Sequence, residues 1–294
     1  MATAANIITS ARYDLRAVTG QSFEPEELLE YLNRSVIILD GVLMSTNSDW
    51  LHQTAISSGL TAGLNKVTMP TRCISIRSVW VTDIIDSFTD LTYTAAADTI
   101  ATAAGTFTTN GLAANETIGI IGSTSNNTNI NGGDGIGLLT ISAVTETLIT
   151  VNEDVIVDEG AANASGTIMQ IKNLEVEKLS TNDLYVKRKW ISATGRPFYW
   201  AWEGTSVIFD YKADQAYGLL FHFNRKSAVL QMSTTMPYNG EFDESLREGL
   251  VMFGKQRRGE IENADIAIAS MIKQAVMTKA TRRNHIPERY RLDF

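Results

Sequence analysis

The stretch Cys73-Ile-Ser-Ile-Arg-Ser-Val-Trp-Val81 marks the point where the chain changes from helical to strand periodicity. Its apolar residues at 74 and 76 fall on one face and those at 79 and 81 fall on the other, an alternation typical of a β-strand. The apolar face changes near Ser78, so we expect a β-bulge there, because one extra residue shifts the alternation.

Two helices are predicted upstream of this strand. Residues 6–18 place apolar side chains at helical spacing, and Gly20 ends that segment. Pro25 suits the first position of the next helix, since the missing N–H would be unpaired there anyway. Glu26 and Glu27 suit the positive end of the helix dipole. An apolar stripe then continues over residues 28–43.

Downstream, residues 88–172 are rich in Thr, Ala, Asn and Gly, with short β-like runs at 105–109, 116–122, 135–144, 147–152 and 166–171. Short strands at this spacing favour a small antiparallel sandwich or barrel, with a surface loop as the alternative. Between Arg77 and Lys172 there are 11 acidic residues and no Lys or Arg. Because such a change of charge indicates a domain boundary, we predict an acidic β insertion domain over 88–172.

The rest of the chain, residues 1–87 and 173–294, is predicted to form the body. Strands are expected at 184–192, 198–202, 206–211 and 217–224, which are rich in aromatic and branched residues. Two helical stripes follow, at 246–253 and 261–275. The predicted fold class is therefore α+β: a helical-bundle body with a small antiparallel sheet, plus an inserted all-β domain, sandwich or barrel.

Motifs for catalysis are missing from the sequence. It holds no P-loop, dinucleotide-binding glycine motif or nucleophile elbow. His52, His222 and His285 have no metal-ligand spacing, and His222 is predicted to be a core or interface histidine within an apolar strand. The single cysteine, Cys73, is predicted to be a buried, inert thiol. We therefore predict no enzyme activity and no catalytic, cofactor-binding or metal-binding residue.

Two patterns admit a functional alternative. Asn127, Asn129, Asn131 and Gly132 mimic the alternating oxygen ligands of a calcium loop, but Leu138 stands where the closing Glu belongs, which favours a hairpin loop. The carboxylate pair Asp158-Glu159 could serve a glycosidase, although a solvated acidic surface is the preferred interpretation.

An aromatic cluster also has two interpretations. Its members could bind sugar, but aromatic residues on alternating strands more often belong to a core or a subunit interface. They are Trp190, Tyr199, Trp200, Trp202 and Tyr211. The whole chain carries a net charge of -8, which argues against a protein that binds DNA along its whole surface. No segment has the length and apolarity of a membrane helix, and the first residues lack the pattern of a signal peptide.

The order of these segments resembles the head-to-tail adaptors of tailed phages, the tail accessory factor or tail tube protein A family. The family motif S-x-x-E-L-x-x-Y-L-N is matched by Glu26, Glu27, Leu28, Leu29, Tyr31, Leu32 and Asn33. A second motif is matched by Met69, Pro70 and Val79, with Thr71-Arg72 where an acid is usual. A third is matched by residues 210–214 and Tyr217, without its prolines. The resemblance covers residues 7–87 and 184–280.

This resemblance implies a virion structural protein at the head-tail junction, made in the host bacterial cytoplasm. Such adaptors form a dodecameric ring that docks under the portal protein, extends the channel for genomic DNA and gives tail or nozzle proteins a platform. DNA would pass without sequence-specific binding, and no membrane would be involved. The alternatives are another virion component, such as a decoration, tail or baseplate protein, and a carbohydrate-binding protein.

The C-terminal tail is basic, with a few apolar residues that could anchor it to a partner. We predict that it docks onto the portal through Arg282, Arg283, Arg289, Tyr290, Arg291 and Phe294. A frayed, solvated terminus and arginines that face DNA in the channel are the alternatives.

Overall fold

The computed structural model describes residues 2–19, 23–46, 51–103, 105–123, 125–126, 138–159, 166–171, 175–188 and 194–284. The chain divides into two compact units. The helical unit consists of Met1–Leu51 and Lys226–Phe294, so both chain ends belong to it. The sheet unit consists of the intervening segment, His52–Arg225.

The described residues of the helical unit form four α-helices: α1, Ala4–Thr19; α2, Pro25–Ser45; α4, Asp243–Arg257; and α5, Ala264–Asn284. The predicted N-terminal and C-terminal helices are thus confirmed. Pro25 begins α2, with Glu26 and Glu27 in its first turn. The apolar stripes of all four helices meet in one core, which includes Leu15, Leu32, Leu39, Leu250 and Ile268.

Two glycines let α4 approach its neighbours closely. A Cβ atom at Gly249 would lie 2.8 Å from the Ser35 hydroxyl oxygen on α2. A Cβ atom at Gly254 would overlap the side chain of Leu15 on α1, which is fully buried. The close packing of α4 against α1 and α2 therefore depends on the absence of a side chain at both positions.

The described residues of the sheet unit form thirteen strands and one helix. The strands are β1, His52–Leu60; β2, Lys66–Thr68; β3, Cys73–Phe88; β4, Thr92–Thr94; β5, Thr99–Ala101; β6, Thr117–Ile121; β7, Leu139–Val144; β8, Leu148–Val151; β9, Gly166–Ile171; β10, Glu175–Lys178; β11, Tyr199–Glu203; β12, Ser206–Phe209; and β13, Tyr217–Arg225. The helix is α3, Thr181–Arg188.

These strands are hydrogen-bonded into one mixed sheet with the order β2-β12-β11-β10-β3-β9-β6-β7-β8-β5-β4. Strand β13 also pairs with β3, and β1 pairs with β13. The pair β10 and β11 is parallel, and the other pairs are antiparallel. Strand β3 is the centre of this arrangement because it bonds to β13, β10 and β9.

The register of β3 confirms the predicted bulge. His222 of β13 lies opposite Ser78 and Phe223 lies opposite Ile76, so Arg77 is the extra residue. The bulge brings Ile76, Val79 and Val81 into the same hydrophobic core, although strict alternation would separate the first from the other two.

The predicted helical-bundle body with a small antiparallel sheet is wrong. Strand β3 has 16 residues, whereas the alternating stretch that predicted it has nine. Its first part pairs with β13, and its last part, Asp83–Phe88, pairs with β9 of the acidic segment. The strands of the acidic segment therefore extend the sheet of the body, and the resulting sheet is the larger part of the fold.

Two predicted strands are also corrected. A strand was predicted at 184–192, but residues 181–188 form helix α3, and residues 189–192 lie outside the described residues. The Ser180 hydroxyl accepts a hydrogen bond from the Asp183 N–H at 3.1 Å and so caps the start of this helix. Residues 107–111 form a turn, in which the Asn110 N–H donates to the Thr106 carbonyl at 2.9 Å.

The acidic segment has a hydrophobic core of its own, which includes Tyr93, Phe107, Ile118, Ile141 and Ile168. The predicted boundaries at 88 and 172 lie within the sheet unit. Independent folding of residues 88–172 stays a prediction. In the described helices, no segment is long and apolar enough to cross a membrane.

Candidate functional site

Polar and aromatic side chains gather on one face of β1, β13 and β3. The rings of His52 and His222 are nearly parallel, with centroids 5.6 Å apart. The indole of Trp80 meets the His222 ring edge-on, with centroids 4.8 Å apart. The Thr54 hydroxyl oxygen lies 3.3 Å from Nδ1 of His222. We call these four residues the histidine cluster.

A second group of polar side chains adjoins this cluster. Asn224 pairs with His52 across β13 and β1. Its Oδ1 accepts from Nε of Arg77 at 3.0 Å, and its Nδ2 donates to the Ser75 hydroxyl at 3.0 Å. These contacts tie the ends of three strands together.

The geometry of the histidine cluster matches a strand contact better than a catalytic pair. The distance between Thr54 and His222 is slightly longer than the reach expected of a nucleophile and its base. Nε2 of His222 is buried and has no hydrogen-bond partner among the described residues, so no carboxylate there orients the ring. Burial and the neighbouring His52 lower the pKa of His222, against the opposing effect of Glu175. His222 is half-buried, and its assignment to a core or an interface stays a prediction.

The thiol of Cys73 fits the predicted inert role, although it is half-buried instead of buried. Burial raises its pKa to about 11, so the reactive thiolate is scarce at neutral pH. In the described ranges, no three His, Cys, Asp or Glu side chains are grouped closely enough to hold a metal ion. The calcium-like residues Asn127, Asn129, Asn131 and Gly132 lie outside the described residues, as does His285.

The described members of the aromatic cluster are buried or half-buried. Trp200 is fully buried, and its Nε1 donates to the Val176 carbonyl at 3.0 Å. The Lys187 ammonium lies 3.4 Å from the centre of the Tyr199 ring and covers it. Trp202 packs against the same core as Trp200. Tyr211 meets Phe198 edge-on, and Trp190 lies outside the described residues. Its four described members therefore form no row of exposed rings for a sugar.

Carboxylates of the acidic segment accept hydrogen bonds from groups in its loops, whereas the sequence predicted only a solvated surface. Asp158 accepts from the Ala95 N–H at 2.7 Å, and Glu159 accepts from the Ser123 hydroxyl at 2.7 Å and from Nδ2 of Asn126 at 3.0 Å. The same kind of contact is made by Asp90, Glu116, Glu146 and Glu153. The pair Asp158-Glu159 thus holds separate loops and does not face a common substrate position.

In the helical unit, α2 holds the segment that follows β13. Asp40 is buried and accepts from the Ser227 N–H at 2.9 Å, from the Ser227 hydroxyl at 2.8 Å and from the Tyr238 hydroxyl. Burial and the nearby Asp40 carboxylate raise the pKa of Tyr238 far above its ordinary value. About two helical turns before Asp40 in α2, the side chain of Asn33 forms hydrogen bonds with the backbone of Leu230. The sequence did not predict the contacts of Asp40 with Ser227 and Tyr238, because these partners are 187 and 198 residues away and no local pattern indicates them.

The residues predicted to dock onto the portal are only partly placed. Arg282 and Arg283 belong to the last turn of α5. Arg289, Tyr290, Arg291 and Phe294 lie outside the described residues.

The helical unit also exposes large apolar side chains. Ile37 and Met44 lie on the outer side of α2, and Ile266 and Met277 lie on the outer side of α5, with exposed fractions of 42–67%. Tyr13 of α1 and Val229 are exposed as well. Large apolar side chains exposed on several helices are candidates for subunit contacts.

Gly41 lies between Ile37 and Met44 on α2, and a Cβ atom there would meet nothing within 4 Å. A glycine inside a helix costs about 0.5–1 kcal/mol relative to alanine. Since no contact among the described residues requires it, the glycine would suit the close approach of another backbone. We call Ile37, Gly41 and Met44 the α2 strip.

No protein-family model matches the chain, and no curated protein matches it either.

Proposed function

We propose that the protein is a virion structural protein of a tailed phage, a subunit of the head-to-tail adaptor ring. In this role it docks under the portal, extends the DNA channel and offers the tail a platform. The proposal starts from the order of the sequence motifs, which resembles that of the adaptor family. It is supported by the helical unit, which joins the N-terminal motif on α2 to the C-terminal helices.

The observation that carries the proposal is the exposed apolar surface of the helical unit. A subunit of a closed ring contacts one neighbour on each side, through two different surfaces. The α2 strip supplies one candidate surface, and Ile266 with Met277 on α5 supplies a second. Single exposed apolar residues are common on monomers. Here the exposed apolar residues of α2 and of α5 occur in pairs, two to three turns apart on the same helix.

Two further parts of the chain suit the same role. The basic tail follows α5 in the sequence and would bind the portal. The acidic segment would meet the tail proteins.

The proposal is tested by the assembly state of purified protein in native mass spectrometry. We expect rings or ring-forming oligomers from the unaltered chain, in the presence of portal protein from the same phage. Ile37→Glu and Ile266→Glu should each leave folded subunits that no longer associate, since a charge would be buried at the contact.

Leu64→Glu is the matched control, because Leu64 is 51% exposed in the sheet unit and belongs to neither candidate surface. It should assemble normally. Normal assembly of Ile37→Glu and Ile266→Glu would contradict the assignment of the ring contacts. If Leu64→Glu loses association as well, the loss is not specific to the two candidate surfaces, which also contradicts the assignment.

A further inference from the structure

We infer that the stacked pair of His52 and His222 makes the pairing of β1 with β13 sensitive to acid, so that this strand end loosens when the pair becomes charged. The inference is independent of the proposed function. It concerns the histidine cluster alone, and it depends on three features of that cluster.

The first feature is the stacking itself. The two rings are 5.6 Å apart and only 11° from parallel. In the neutral state this contact is favourable for two flat rings. When both rings carry a positive charge, the same geometry places like charges next to each other, and they repel.

The second feature is the surroundings of the His222 ring. A charged imidazole donates a proton from each nitrogen. Nε2 has no acceptor among the described residues, and Trp80 meets the ring edge-on, with centroids 4.8 Å apart. Protonation would therefore leave a buried donor without an acceptor among the described residues.

The charged groups around His222 partly oppose this effect. Glu175 of β10 lies opposite Trp80 and favours the charged ring. On β1 the facing group is His52, which disfavours the charged form of the His222 ring. On β3 the nearby charged group is Arg77, whose Nε donates to Asn224. Burial is the largest influence, and the pKa of His222 is lowered.

The direction of the pH effect follows from this shift. The unfolded chain takes up a proton near the ordinary histidine value of about 6.5, before the folded chain does. The stabilising effect of neutral His222 is therefore complete above that pH, and it is lost as the pH falls below it.

The third feature is the position of the pair. His52 begins the sheet unit and pairs with Asn224, one residue before Arg225 ends it. The chain passes between the two units immediately beyond both residues. Acid would thus loosen the strand end at which the chain enters and leaves the sheet unit.

Hydrogen exchange of the full chain, followed by mass spectrometry at about pH 7.5 and about pH 5.5 and corrected for the intrinsic rates, tests the inference. Amides of residues 53–57 and 219–223 should lose protection on the order of tenfold at the lower pH. The pair β7 and β8, which has no histidine, should keep its protection. His222→Phe should remove the acid effect while keeping an aromatic ring against Trp80.

His285→Gln is the control, because it removes a histidine outside the cluster and should leave the acid effect intact. If His222→Phe does not fold, His52→Gln replaces it and should reduce the effect by removing the neighbouring charge. Equal protection of the unaltered chain at both pH values would overturn the inference. So would an acid effect that persists in full in His222→Phe or in His52→Gln.

Discussion

The side-chain amide of Asn33 pairs with the backbone of Leu230 through two hydrogen bonds, as a residue of a neighbouring strand would. Its Oδ1 accepts from the Leu230 N–H at 2.7 Å, and its Nδ2 donates to the Leu230 carbonyl at 3.1 Å. In the sheet unit, Asn126 does the same with Val157, with both distances 2.8 Å. In each unit, one Asn side chain thus satisfies the backbone of a segment that lacks a regular partner.

Replacement of Asn33 should destabilise the helical unit. Asn33→Ala leaves the N–H and the carbonyl of Leu230 without their partner, and we expect a loss of about 1–3 kcal/mol in the free energy of unfolding. Urea denaturation followed by helical circular dichroism measures it. Asn33→Asp keeps the acceptor for the N–H, but its second oxygen would face the Leu230 carbonyl, so it should not restore the stability. An unaltered midpoint for Asn33→Ala would show that water replaces the amide without loss.

The sequence could mark the position of Asn33 but not its function in the fold. The residue belongs to the N-terminal motif that resembles the adaptor family, and the helix around it was predicted. Its partner Leu230 is 197 residues away, and periodicity carries no information on contacts at that separation. The same limit applies to Asp40 with Tyr238 and to His52 with His222.

The glycines at close contacts should not tolerate alanine. In the sheet unit, a Cβ atom at Gly218 would overlap the side chain of Met169 and approach the Thr82 hydroxyl oxygen to 2.5 Å. Met169 and Thr82 are fully buried, so neither can move freely. Gly218→Ala and Gly254→Ala should each lose about 1–3 kcal/mol, the range typical of overpacked cores, in urea denaturation.

Gly41→Ala is the matched control for these two variants. It also adds a methyl group to a glycine, but into open space on a helix. We expect it to stabilise the isolated subunit by about 0.5–1 kcal/mol. If it destabilises the subunit as much as Gly254→Ala does, the difference in local packing is not what decides these effects.

The carboxyl group of Glu146 should titrate below the ordinary glutamate value. Hydrogen bonds from the hydroxyls of Thr108 and Thr109 lower its pKa. A group with a lowered pKa stabilises the fold above its ordinary value of about 4.3, and this effect is lost as the pH falls through the folded pKa. Nuclear magnetic resonance titration of the carboxyl carbon measures the midpoint. The double variant Thr108→Ala, Thr109→Ala should move it upward, and an unmoved midpoint would contradict the stated cause.

The acidic segment should fold when expressed alone. Residues 88–172 contain a hydrophobic core and the paired strands β6, β7, β8 and β9, so we expect a β-type circular dichroism spectrum and a cooperative melt. The fragment lacks nearly all of β3, which pairs with β9 in the full chain. A disordered spectrum would show that β3 is required.

Local patterns predicted the elements better than their connections. The helices α1, α2, α4 and α5 and the strands β6, β8 and β9 lie where the apolar periodicity placed them. The sheet was underestimated because a strand's partners are set by long-range pairing, and the composition change near residue 88 suggested a separate domain. Helix α3 was missed because its short apolar pattern also fits a strand, although Ser180 and Asp183 mark a cap.

The adaptor assignment is tested most directly by electron microscopy of the protein mixed with the portal protein of the same phage, with and without residues 282–294. We predict a ring of this protein coaxial with the portal, on its tail-facing side. Removal of residues 282–294 should leave the fold intact and abolish binding to the portal protein. A full-length protein that never joins the portal, or that binds elsewhere on the virion, would contradict the account.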